Sequence, residues 1–141
     1  MLLEKQIDDE DRQPGEDRLR HQEADTAGLR EAGAELLLVL NASPCHRDKT
    51  RERVQVLADR VEATGMPAIY CNLVGGQDEL VFDGDSFALD AGKNVCMRLP
   101  QFEEALGIVD FAAGRLTSND LCDELPLEAE AYNALVLGVR D

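Results

Sequence analysis

Five consecutive apolar residues, Leu36-Leu37-Leu38-Val39-Leu40, carry no polar interruption, and this run constrains the chain more than any other feature. It is of strand length, too short for a buried helix, and its continuity predicts a central strand covered on both faces. An amphipathic helix follows. Between Arg47 and Thr64, Val54, Leu57, Ala58 and Val61 recur at i, i+3, i+4 and i+7 with charged residues between them, and Gly65 supplies a stop. A second buried strand is expected from Ala68 to Val74, so the chain reads strand, helix, strand.

Beyond a break at Gly75-Gly76, Ser86 to Leu89 and Val95 to Leu99 read as short strands joined by a turn at Asp90 to Lys93, with Gly92 as the permissive position. Leu106 to Phe111 would add another strand, and Ala112 to Glu124 is mixed and polar. A last helix begins at Pro126, an allowed first-turn position, with Glu128 and Glu130 near its positive end. Its apolar stripe is expected to comprise Leu127, Ala131, Ala134, Leu135 and Gly138. At the other end, a short helix should stop near Gly33, and residues 1–26, which are acidic, are expected to be loosely ordered. The fold class is therefore α/β with a mixed sheet.

Charge narrows the partners. With 29 acidic against 14 basic side chains the net charge is −15, which repels phosphate backbones and anionic bilayers, so neither nucleic acid nor membrane is an expected partner. No apolar run reaches the length of a transmembrane helix and the N-terminus lacks a secretory pattern, so the expected location is the cytoplasm. Cys45, Cys71, Cys96 and Cys122 form no CxxC or CxxH pair, which favours reduced thiols over a zinc site.

Three strings do more than composition can: Leu38-Val-Leu-Asn-Ala-Ser-Pro-Cys-His-Arg-Asp-Lys49, Ile69-Tyr-Cys-Asn-Leu-Val-Gly-Gly-Gln-Asp-Glu-Leu-Val-Phe-Asp-Gly84 and Arg98-Leu-Pro-Gln-Phe-Glu-Glu-Ala-Leu106. In this order they resemble the later half of the nitrilase-like (carbon-nitrogen hydrolase) glutaminase domain of bacterial glutamine-dependent NAD synthetases, from about Leu29 to Asp141. The resemblance implies part of an α-β-β-α sandwich over residues 27–124 and, over 125–141, the helix that opens the synthetase domain. It also implies that glutamine hydrolysis supplies ammonia for NAD biosynthesis, through a Cys nucleophile, a Glu base and a Lys facing the oxyanion.

None of those three is matched here, so no catalytic residue is assigned. Gly15-Glu16-Asp17 stands near the expected place of a Cys-Glu-Asp sequence but without its Cys, and Glu4 and Lys5 lack the family's surroundings. Ser43 and Lys49 do match positions near the family's glutamine pocket; the plainer alternative is a turn former and a solvated helix residue. Cys45 and His46 are neighbours whose side chains diverge, a poor geometry for a thiol and its base. Asp78, Glu79 and Asp83 could be read as a hard-cation site, but the resemblance implies instead a loop at the pocket or subunit contacts, formed by Gly75, Gly76, Gln77, Asp78 and Glu79, with no metal. No cofactor is expected for this chain, since ATP and magnesium belong to the family's synthetase domain. The chain should form a homo-oligomer, bind glutamine only when the rest of the pocket completes it, and be inactive alone; a non-enzymatic assembly module is the alternative.

Overall fold

The computed structural model describes residues 28–140. The expectation for residues 1–26 lies outside them. A turn of helix at 28–31 ends at Gly33, whose φ of 91° is open to glycine. The elements then run β1 (Leu37–Asn41), α1 (Lys49–Thr64), β2 (Ala68–Asn72), β3 (Val74–Gln77), β4 (Leu80–Asp83), β5 (Phe87–Leu89), β6 (Val95–Arg98), β7 (Asp110–Ala112), β8 (Arg115–Thr117) and α2 (Leu127–Arg140).

Four strands form the main sheet in the order β1-β2-β5-β6. β1 and β2 are parallel, as a helical crossover demands, and the remaining pairs are antiparallel, so the sheet is mixed as expected. Leu57 and Val61 of α1 seat on Ala68, Tyr70, Phe87 and Leu89, with Val54 and Ala58 at the edges of the contact. Gly65 caps the helix in the left-handed region, its N–H donating to the Val61 carbonyl at 2.7 Å. The opposite face of the sheet is covered near β5 and β6, where Ala88 and Met97 pack with Leu116 of the β7–β8 hairpin.

Several expectations are corrected. β1 is the outer strand of the sheet among the described residues; Leu37 and Val39 pack on the core, whereas Leu38 and Leu40 are 64% and 77% exposed. A continuous apolar run thus marks two apolar faces, but only one is covered here. Gly75-Gly76 is no break: both residues pair within β3 against β4, and Asp78-Glu79 form the turn. In the 90–93 turn the left-handed residue is Lys93, at φ 68°, and the shape is fixed by Asp90, whose carboxylate accepts from the Asn94 N–H at 2.8 Å.

Of the expected 106–111 strand only Asp110 and Phe111 are regular, at the start of β7. Side chains have taken the upstream backbone: Ile108 N–H donates to Asp120 and Ser118 Oγ donates to the Ile108 carbonyl. The inward line of α2 is Glu130, Asn133, Ala134 and Leu137, with Gly138 set against Val81 of β4, while Leu127, Ala131 and Leu135 face outward. That helix rests on the small β3–β4 hairpin, which covers a narrow stripe, and Glu130 is drawn inward by the Gln101 amide at 2.9 Å.

Candidate functional site

Parallel strands end side by side, and the loop leaving β1 must turn sharply to enter α1. Asn41 and Asn72 are the paired last residues of β1 and β2. Ser43 and Pro44 follow in the loop, and Asn72 Oδ1 accepts the Ser43 N–H at 2.8 Å. Between this loop, the ends of β1 and β2 and one side of α1 lies a cleft of about 200 Å³, lined by Asn41, Ser43, Lys49, Glu52, Arg53 and Tyr70 among others. Ser43 and Lys49, singled out separately from the sequence, therefore share one concavity. Lys49 Nζ lies 3.0 Å from Glu52 Oε1, and Arg53 and Arg60 also line the cleft, so its lining carries three cations and one carboxylate, with the Tyr70 hydroxyl and Asn41 amide joined at 3.1 Å on its wall.

The inner side of the cleft is charged. Arg53, on the inner side of α1, forks onto Asp83 with Nη1–Oδ2 at 2.9 Å and Nη2–Oδ1 at 2.8 Å. The same guanidinium donates to Ser43 Oγ at 3.2 Å, to the Ser43 carbonyl at 2.8 Å and to the Pro44 carbonyl at 3.3 Å. Both partners are buried, where a full fork is needed to offset desolvation. Two residues on, Asp85 takes Arg98 Nη1 at 2.9 Å, and Arg98 Nη2 reaches Glu124 at 3.1 Å.

Reading α1 for apolar spacing passes over Arg53. A signal was nevertheless present: Arg53 stands four residues before Leu57 and eight before Val61, on the inward line, where an unpaired charge is not tolerated. Its partner could not be read from the sequence, because Asp83 lies 30 residues away.

The segment from Gly75 to Glu79 does not join Ser43 and Lys49. Gly76, Gln77, Asp78 and Glu79 border a separate groove against Ala134, Leu135 and Gly138 of α2. Among the described residues no three His, Cys, Asp or Glu side chains form a metal-binding group, and Asp83 is committed to Arg53.

Cys45 follows Pro44 and gives its N–H to the Val81 carbonyl at 2.7 Å. Burial, with the charges of Asp83 and Glu130, pushes its thiol up to about 11 against the pull of Arg53. At neutral pH that sulfur is a protonated thiol and a poor nucleophile. His46 Nδ1 is engaged by the Arg47 carbonyl at 2.9 Å.

No protein-family model matches the chain. Similarity to individual proteins is substantial. The chain is 44% identical over 122 residues, 83% of its length, to a glutamine-dependent NAD(+) synthetase of Rhodobacter capsulatus, and 40% identical over 116 residues to that of Xanthomonas campestris. It spans about a fifth of those relatives, 22% and 21% respectively. Among solved structures, a glutamine-dependent NAD+ synthetase from Acinetobacter baumannii, in complex with ADP, superposes with a TM-score of 0.77 at 31% identity, over 89% of this chain and 24% of that one.

Proposed function

For a chain that shares its sequence and fold with one stretch of the glutamine-dependent NAD(+) synthetases, we propose a role as one wall of a glutamine pocket rather than as a complete amide hydrolase. The observation that carries this reading is the cleft in which Ser43 and Lys49 meet. A hydroxyl and an ammonium suit the carboxylate end of an amino acid, and Glu52 suits its ammonium. The pocket belongs to a nitrilase-like glutaminase domain, whose ammonia feeds NAD formation in a synthetase domain that uses ATP and magnesium.

Hydrolysis requires an activated nucleophile, a base and an oxyanion partner in register. The thiol nearest the cleft loop, Cys45, is pushed up to about 11, and Cys96 is pushed up as well, chiefly by burial with help from Asp90. Neither supplies a thiolate at pH 7. Purified chain incubated with L-glutamine should therefore release no ammonia above a protein-free control, and iodoacetamide should label Cys45 slowly. Ammonia release that vanishes in Cys45→Ala would overturn this reading.

A further inference from the structure

We propose that Arg53 is a positioning residue for the Ser43 hydroxyl, held to that task by Asp83. The proposal rests on the cleft being a ligand pocket and adds how its hydroxyl is aimed.

A guanidinium nitrogen can only donate. Because Arg53 Nε points at Ser43 Oγ from 3.2 Å, the oxygen is engaged as an acceptor, and the hydroxyl hydrogen is left to be donated elsewhere. Ser43 lines the cleft together with Lys49, so the two present a hydroxyl donor and an ammonium donor to one space. That is a donor set for a carboxylate, and the direction of the hydroxyl is set by Arg53, which borders the same cleft but is 5% exposed and turns its guanidinium onto Asp83 and the loop.

The backbone is fixed by the same group. Arg53 Nη2 bonds both the Ser43 and the Pro44 carbonyls, while Asn72 Nδ2 donates to the Ser43 carbonyl at 3.1 Å and its Oδ1 accepts the Ser43 N–H. Asn72 Nδ2 also reaches Asp83 Oδ1 at 3.4 Å. Ser43 is thereby gripped at N–H, carbonyl and hydroxyl, and the grips converge on the Arg53–Asp83 fork. For stability alone such a fork is a poor choice, because apolar residues of similar volume commonly do as well in a buried position. What apolar residues cannot do is hold a carbonyl and aim a hydroxyl.

The test compares the full chain with the double variant Arg53→Gln/Asp83→Asn, which removes both charges and so strands neither, and with Arg53→Lys, which keeps the charge and loses the fork. Amide hydrogen exchange is followed at Ser43 and Cys45, with Tyr70 and Ala88 as sheet references, and L-glutamine is titrated into the ¹⁵N-labelled chain. Expected is exchange at Ser43 faster by roughly tenfold or more in both variants, with the reference amides unchanged, and any glutamine-induced shift that wild type shows at Ser43 or Lys49 reduced in both. Ser43 protection equal to wild type in the double variant would overturn the proposal, as would full recovery of glutamine affinity in Arg53→Lys. If wild type shows no glutamine-induced shift at Ser43 or Lys49, as a single wall without the rest of its pocket would behave, the exchange result at Ser43 alone decides the proposal.

Discussion

Asp85 is wholly buried, and its Oδ2 has no hydrogen-bond partner among the described residues. Burial pushes its carboxyl up to about 6, against the pull of Arg98 and the Thr50 hydroxyl, and Asp83 adds to the rise. The folded chain thus holds a proton between about pH 4 and 6 that the unfolded chain has released. By linkage this contribution to stability is fully present below the unfolded value of 3.8 and is lost as pH rises through 6. The amplitude is at most about 3 kcal/mol. Thermal melts should therefore show the midpoint falling from pH 5 to pH 7, and Asp85→Asn, which is neutral throughout, should flatten that slope. A slope unchanged in Asp85→Asn would rule this group out. Arg53→Ala belongs to the same scale with a different cause: it strands the Asp83 carboxylate in the core, and a loss of about 3–5 kcal/mol in urea denaturation is expected.

At the scale of elements, the β3–β4 hairpin is pinned where it returns to the main sheet. Gly84 has φ 69°, and a Cβ there would meet Val74 Cγ2 at 2.6 Å. A left-handed backbone and a crowded neighbour both count against a side chain, so Gly84→Ala should cost about 2–4 kcal/mol, read as a lower urea midpoint with unchanged slope. A cost below about 0.5 kcal/mol would mean that the hairpin base yields easily. Elements with one dominant local signal were legible in the sequence: α1 from its apolar spacing and Gly65, and β5 and β6 from the turn that joins two short strands. Elements whose shape depends on distant partners were not. The β3–β4 hairpin hides in a Gly-Gly that reads as a break, and α2 turns a half-buried Glu130 inward because Gln101 waits for it, which no apolar count can register. The site divides the same way. Ser43 and Lys49 were visible through local motifs, whereas Arg53 and Asp83 become a pair only when α1 and β4 are brought together.

For the whole molecule the open question is what its uncovered apolar surface does. Leu38 and Leu40 stand out from the edge strand of the sheet, and elsewhere Leu106, Ile108 and Val139 are 92%, 71% and 88% exposed. At roughly 25 cal/mol per Å², each few hundred Å² of such surface withdrawn from water is worth several kcal/mol. That is enough to drive copies together once a dimer buries about 800 Å² per partner. The opposing term is the net charge of −15, which repels one copy from another over about a Debye length. We therefore expect self-association through apolar contact that tightens with salt, the reverse of an interface built on ion pairs. Sedimentation velocity at micromolar concentration should show the average mass rising between 20 mM and 500 mM sodium chloride. Charges placed on the edge strand, Leu38→Glu/Leu40→Glu, should return the chain to a monomer, since β1 buries its other face and neither residue is needed for the core. A compact monomer at both salt concentrations would defeat the expectation, and a mass that falls as salt rises would assign the interface to charge instead.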